Sequence, residues 1–361
     1  MSFPARFTFL ARVIHQRTPK LARQLALDLG TSRTRLHLRG TGLVADEPTA
    51  VVMEPYNAGV AATGNKAIEL VASRTEADLS RPIRHGVAAD AAVLEAFVSA
   101  LLKPHLKGVF DRQHAVVTVP SATTPVERRI VRECVTAAGV DNVHTIEHVL
   151  AGALGAHLPI HDAIGSMIID VGAGITEAAL LSLGAVVAAS SIRLGSADID
   201  EEIRTLMRRD YGMRVTDKSA EEIKTTAAAL LIECAGKPRE DQLLIEAGGT
   251  SVTDGSEVVA ILEIDDIAPM LSQFRKGVVD VVRSTLVQAP PDLGQDLFSQ
   301  GIHLVGGGAL TPLLVEDLER AFSLPVHLVD DAERVVVNGA AECLEAPEAF
   351  SSLFLGEKGQ V

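Results

Sequence analysis

The chain has 361 residues, too many for one ordinary core and suited to two domains. Its residues are 47% hydrophobic with no Trp and two Tyr, so the core must be aliphatic and alanine-rich, the style of helices packed on a Val/Ile/Leu sheet. The net charge of −14 argues against general nucleic-acid binding, which needs basic surface, and no apolar stretch reaches the roughly 18 residues of a membrane-spanning helix.

The first 24 residues are distinct, because no acid precedes Asp28. Phe3, Phe7, Leu10 and Ile14 recur at helical spacing among Arg6, Arg12, Arg17, Lys20 and Arg23. Two readings stand together: an interfacial helix on an anionic membrane, or a disordered tail. A signal peptide is set aside, since charges interrupt the apolar run and no small-residue cleavage site follows.

From residue 25 strand-like and helix-like stretches alternate. "QLALDLG" reads as a strand and "TRLHLRG" as its hairpin partner. "EPTAVVM" (47–53) is expected as one further short strand, "AVLEAFVSALLKPHL" (92–106) as a helix, and "HAVVTVP" (114–120) as a buried strand. Thr124, Pro125 and Glu127 form a helix start, with cap, first-turn proline and capping-box acid, and that helix stops at Gly139. "NVHTI" is the next strand, "EHVLAGALGAH" the next helix and "PIHDAIG" a loop. The three cysteines, Cys134, Cys234 and Cys343, lack metal-ligand spacing and read as buried free thiols of a reducing compartment.

"SMIIDVGAGITEAALLSLG" (166–184) then repeats the opening pattern, placing Asp170 and Thr176 on Asp28 and Thr34 at a separation of 142 positions. A third glycine turn, "IHLVGGGALTPLL", follows at 302–314, and after residue 345 the apolar pattern thins into an expected loose tail. Two Asp-x-Gly hairpins, one per domain, can face each other across a cleft. Their glycines let backbone N–H groups converge on anionic oxygens, while Asp28 and Asp170 would bind Mg²⁺ through water. Gly306, Gly307 and Gly308 would accept a base or an α-phosphate. A nucleoside triphosphate fits all three.

In these blocks the sequence resembles the actin, DnaK-type chaperone and sugar-kinase superfamily, and within it the MreB-type bacterial actins. The likeness runs from about residue 25 to 345 and rests on "VPSATTPVERRIVRE" (119–133), "GSMIIDVGAGITE" (165–177), "AEEIK" (220–224), "PPDL" (290–293) and "LVGGGAL" (304–310). The resemblance implies an α/β, actin-like fold: two ribonuclease-H-like domains, each with a small subdomain, around an ATP cleft. It divides the chain into a basic segment (1–24), domain I (25–162, small subdomain about 51–85), domain II (163–345, small subdomain about 225–268) and a tail (346–361). It implies ATP, or another nucleoside triphosphate, with Mg²⁺. Gly30, Thr31, Ser32, Arg33 and Thr34 would form the first phosphate loop, and Gly172, Ala173 and Gly174 the second. Glu221, Glu222, Ile223 and Lys224 would flank ribose and adenine, with Gly306 to Ala309 on the base and α-phosphate. Implied partners are further copies in a filament, a second bacterial actin, an anionic membrane and membrane proteins of cell-wall synthesis, at the inner membrane face.

Departures fall at functional positions. Ser32-Arg33 replaces Ala-Asn, and Arg33 either pairs with phosphate or points to solvent. Ala173 and Ile175 replace a glycine and a threonine, and Ala197 stands where the family has an acid. His148 occupies the place of the glutamate that positions the attacking water, with Glu147 one residue away. His148 is either a general base or a filler of the cleft wall in a site that has lost catalysis. Three functions remain open: a filament whose assembly nucleotide controls, with hydrolysis slow or absent; a non-polymerising pseudo-ATPase scaffold for a true homologue; and a small-molecule kinase or phosphatase, for which no inserted substrate domain is evident.

Overall fold

The computed structural model describes residues 23–54, 59–73, 78–106, 112–234 and 243–355; the expected membrane stripe Phe3, Phe7, Leu10 and Ile14 lies outside them. The first sheet begins with β1 (Arg23–Leu29), β2 (Arg33–Leu38) and β3 (Gly42–Pro48) in an antiparallel meander. The stretch 47–53 is not one strand. It breaks at Thr49, whose hydroxyl donates to the Gly30 carbonyl at 2.8 Å and whose N–H donates to Ser32. The chain leaves the sheet there to secure the first glycine turn.

A small unit follows: β4 (Val51–Met53), β5 (Val60–Thr63), α1 (Asn65–Ser73) and β6 (Leu79–Ser80), with Ala50, Val52 and Ala67 as its core. A short hairpin, β7 (Ile83–Arg84) and β8 (Val87–Ala88), leads to α2 (Ala91–Leu102), capped by the Asp90 carboxylate. This helix ends before Pro104 and does not reach residue 106. Strand β9 (Gln113–Val119) joins β1 in parallel. Helix α3 (Pro125–Ala137) starts on the expected Thr124–Glu127 capping box, and β10 (Asn142–Glu147) completes the sheet. Helix α4 (His148–Gly155) then crosses behind both lobes.

The second sheet repeats the first in topology. Strands β11 (Ser166–Val171), β12 (Thr176–Ser182) and β13 (Ala185–Ile192) form the meander. Helices α5 (Ser196–Asp210) and α6 (Asp217–Glu233) flank β14 (Met213–Arg214), which pairs with β15 (Leu244–Ser251) and β16 (Glu257–Glu263) in a small sheet. Helices α7 (Ile264–Gln288) and α8 (Pro291–Gln300) precede β17 (Ile302–Val305). Helix α9 (Leu314–Phe322), β18 (Val326–Leu328) and α10 (Val335–Glu345) end the second lobe. The strand orders are β3-β2-β1-β9-β10 and β13-β12-β11-β17-β18, so the internal repeat in the sequence is a repeat of architecture.

Each sheet has its own core on its outer face. Leu25, Leu27 and Val117 meet Phe97 and Val135 in one; Ile169 and Leu180 meet Phe274 and Val278 in the other. A third core, built by α4 and α10, touches both sheets through Ala26, Val116, Ile168 and Val305, and this shared packing holds the lobes face to face. The stretch after residue 345 is not loose as far as Leu355: Leu353 and Phe354 are buried, Phe354 stacks on His144 at 4.9 Å, and Leu355 N–H donates to Thr145 of β10. The cysteines are all free, Cys134 and Cys343 buried and Cys234 only partly so. Among the described residues no helix is long and apolar enough to cross a membrane.

Candidate nucleotide-binding site

The two Asp-x-Gly loops are built alike. Gly30 N–H donates to the Arg33 carbonyl at 3.1 Å, and Gly172 N–H donates to the Ile175 carbonyl at 2.9 Å. A Cβ on Gly30 would overlap that same carbonyl at 2.5 Å, so the first turn needs glycine, and one on Gly172 would crowd its carbonyl at 3.0 Å. The loops also touch. Thr31 lies against Gly174, where a Cβ has no room, and its hydroxyl accepts the Gly86 N–H at 3.0 Å. His85, at the tip of the β7–β8 hairpin, brings Nδ1 to 3.0 Å from the Gly174 oxygen. Gly306, at φ +88°, lays the third loop over Asp170 and Val171. Between the three loops lies a cleft of about 360 Å³, in the size range of small-molecule sites.

Gly30, Thr31, Ser32 and Arg33 line this cleft, as do Gly172, Ala173, Gly174, Gly306, Gly307, Glu221 and Lys224. Other expected residues do not. Thr34 is buried in the hairpin, its hydroxyl 2.8 Å from that of Thr49. Gly308 and Ala309 are buried beneath the third loop. In α6 the helical period turns residues 221, 224, 225 and 228 toward the cleft. Ile223 therefore faces the core and Glu222 faces solvent beside Lys218. Lys224 is tied back to Asp200 at 2.9 Å. Arg33 lies at the cleft margin, where its Nε donates to Asp46 at 2.6 Å. Glu147 is turned out of the cleft, with its Oε2 buried and unpartnered and its pKa raised by that burial.

The cleft floor is a charged cluster that reading by motif missed in part. Register pairs Asp28 with Arg35 across β1 and β2, and Asp170 with Glu177 across β11 and β12. Asp28 accepts the Thr118 hydroxyl at 2.8 Å and lies 3.8 Å from the Arg35 guanidinium. Asp170 faces a second acid instead of a cation. His148, the first residue of α4, lies between the two pairs. Its Nε2 is 3.8 Å from Asp28; its Nδ1 is 3.5 Å from Asp170 Oδ2 and 3.8 Å from Glu177 Oε2. Burial works against a charged imidazole, but Asp170, Asp28 and Glu177 outweigh it and raise its pKa to about 9. Glu177 is pushed up to about 7 by burial, against the pull of His148. An imidazolium has no lone pair to take a proton from water, which argues against His148 as a general base.

The Mg²⁺ expected on Asp28 and Asp170 meets an obstacle in this donor set. Mg²⁺ keeps an all-oxygen shell rich in water. Here an imidazole stands between the two carboxylates, and Asp28 is already matched by Thr118 and Arg35. The residues present do not fit a water-cushioned Mg²⁺ shared by Asp28 and Asp170.

The sequence profile of the MreB/Mbl protein family matches residues 22–352. The chain belongs to this family. It is 35% identical over 329 residues to the cell shape-determining protein MreB of Escherichia coli (strain K12), covering 89% of this chain and 93% of that protein. It is 28% identical over 327 residues to the cell shape-determining protein Mbl of Bacillus subtilis (strain 168), covering 90% and 96%. Among solved structures, MreB5 of Spiroplasma citri bound to AMPPNP superposes with a TM-score of 0.80 at 24% identity, over 92% of this chain and 99% of that one. A chain of the MamK double helical filament superposes at 0.71 with 17% identity, over 90% and 99%. The fold is the actin-like one, and the mirrored sheets, shared rear core and cleft are its parts.

Proposed function

We propose that this chain is a nucleotide-regulated cytoskeletal protein. It assembles with copies of itself and serves cell shape and cell-wall synthesis at the inner membrane face. Its cleft takes ATP or another nucleoside triphosphate and hydrolyses it slowly or not at all. The observation that carries the reading is the pair of identical glycine turns, at Gly30 and Gly172, brought together at Thr31 and Gly174. Two such turns on separate lobes present backbone N–H groups to one string of phosphates. The relatives named above support the cytoskeletal role, the AMPPNP-bound and filament neighbours support nucleotide and self-assembly, and the basic stripe of residues 1–24 supports contact with an anionic membrane.

Weak turnover follows from His148. A water-positioning group must accept a hydrogen bond from the attacking water, and both nitrogens of this imidazole face carboxylates. The same observation favours a second reading, a pseudo-ATPase scaffold that partners a filament-forming homologue. The Mg²⁺ bridge between Asp28 and Asp170 is not part of the proposal, for the reason given above.

Isothermal titration with ADP and ATP, with phosphate release followed alongside, is expected to give saturable binding and little release. Absence of binding would refute the cleft assignment, and turnover at ordinary actin-family rates would refute the loss of catalysis. Negative-stain microscopy with ATP and anionic liposomes separates the two readings: membrane-bound filaments support the first, and monomers that join filaments only beside a homologue support the second.

A further inference from the structure

The second lobe carries a charge arrangement that the first lobe does not. The hairpins are repeat mates, and the residue facing the strand-end aspartate is Arg35 in one and Glu177 in the other. Like charges directly opposite on paired strands destabilise a sheet, and this pair is buried: Glu177 is 1% exposed and Asp170 6%. Glu177 Oε1 accepts the Ser121 N–H at 2.8 Å, but its Oε2 has no hydrogen-bond partner and points at the His148 ring. A buried acceptor left unpaired is costly. Arg35, the cation of the first hairpin, is occupied by Asp28 and Asp46. The positive charge facing the pair is that of the His148 ring, whose Nδ1 proton a metal ion would displace.

We infer that His148 Nδ1, Asp170 Oδ2 and Glu177 Oε2 form a protein-held site for a divalent first-row transition ion, with Mn²⁺ or Zn²⁺ preferred over Mg²⁺. The three donors all lie within 4.8 Å of one another, two of the separations being 3.5 and 3.8 Å. An ion bonded at about 2.1 Å needs neighbouring donors roughly 3.0–3.5 Å apart, so the two separations from His148 need close by only tenths of an ångström, while the two carboxylate oxygens, within 4.8 Å of each other, must be drawn in around the ion. One imidazole nitrogen with two carboxylates is the set chosen by Mn²⁺, Fe²⁺, Co²⁺ and Zn²⁺, whereas Mg²⁺ and Ca²⁺ select oxygen alone. A dication bound at Nδ1 displaces the ring proton and brings the two acids one more unit of positive charge than the imidazolium does. The ion is bound by side chains, and its binding does not depend on nucleotide; only its place beside the phosphate loops rests on the function proposed above.

The test uses the full chain without nucleotide. Titration with MnCl₂ or ZnCl₂ is expected to show one site per chain, at least about tenfold tighter than for MgCl₂, and the Mn²⁺ spin-echo spectrum should show coupling to a directly bound imidazole nitrogen. His148→Glu, which makes the donor set all oxygen, should abolish the nitrogen coupling and reverse the preference toward Mg²⁺. Glu177→Gln should weaken Mn²⁺ at least about tenfold. No nitrogen coupling in the unaltered protein, or Mn²⁺ binding no tighter than Mg²⁺, overturns the inference without recourse to any variant. Nucleotide binding, titrated separately with ADP, can fail while the metal site stands, and the reverse.

Discussion

At the scale of single residues, burial decides which charges keep their ordinary chemistry. His303 on β17 is held below its usual pKa, chiefly by burial and also by His327, whose ring lies 5.1 Å away. A histidine depressed in the fold stays neutral where the unfolded chain would take a proton, at about 6.5. Its stabilising contribution is therefore complete above that pH and is lost as pH falls through the lower folded value. The His303→Gln variant is accordingly expected to lose less stability than the parent between about pH 7.5 and pH 5.5, measured as urea midpoints. Equal losses in the two proteins would show that His303 takes up no proton on unfolding in this range.

Residue identity and residue placement also part company at this scale. Gly30 and Gly172 announce their turns, because an added Cβ would overlap the Arg33 carbonyl at 2.5 Å in the first and crowd the Ile175 carbonyl at 3.0 Å in the second. Arg35 announces nothing. It reads as a polar position in an amphipathic strand, yet it is buried against Asp28 and Asp46, because this strand is covered on both faces.

At the scale of elements, the crossing of α4 and α10 is where the lobes are joined most closely. Gly155 and Gly339 lie in the contact, and a Cβ on Gly339 would overlap the Ala151 carbonyl. Backbone, not a movable side chain, is the obstacle, so relief requires the helices to separate. Gly339→Val is expected to destabilise by about 3 kcal/mol or more, read by urea denaturation. Gly248→Ala, where nothing lies within 4 Å, should change stability by less than about 1 kcal/mol. A tolerated Gly339→Val would mean that the shared core is looser than this packing implies. The same crossing explains why α4 is buried almost throughout. Its apolar run reads as a helix from sequence, but not as the partner of a helix nearly two hundred residues later.

At the scale of the whole molecule, the lobes meet at the rear core and again at the cleft mouth. Arg81, next to the first small sheet, pairs with Asp217 at the start of α6, and His85 reaches the second glycine loop. A ligand that touches both loops adds to these links and stabilises the closed form by mass action. At a nucleotide concentration of about 100 times Kd, unfolding should cost roughly 2.7 kcal/mol more. Amide exchange should slow in residues 30–34, 85–86 and 172–176 together. Protection confined to one lobe would show that the ligand does not span the cleft.

What the sequence determined by itself is local and repeated: two acid-glycine hairpins, the capping box at Thr124 and Glu127, and the glycine-rich third turn. Each is written in consecutive residues whose backbone demands are short-range. The turn at Thr49, the outward Glu222 and inward Ile223, and the return of residues 346–355 onto β10 were decided by tertiary contacts. So was the convergence of Asp28, Arg35, His148, Asp170 and Glu177, which come from three separate stretches of chain. Charge acts through space, and its meaning here depends on which strands the fold sets side by side.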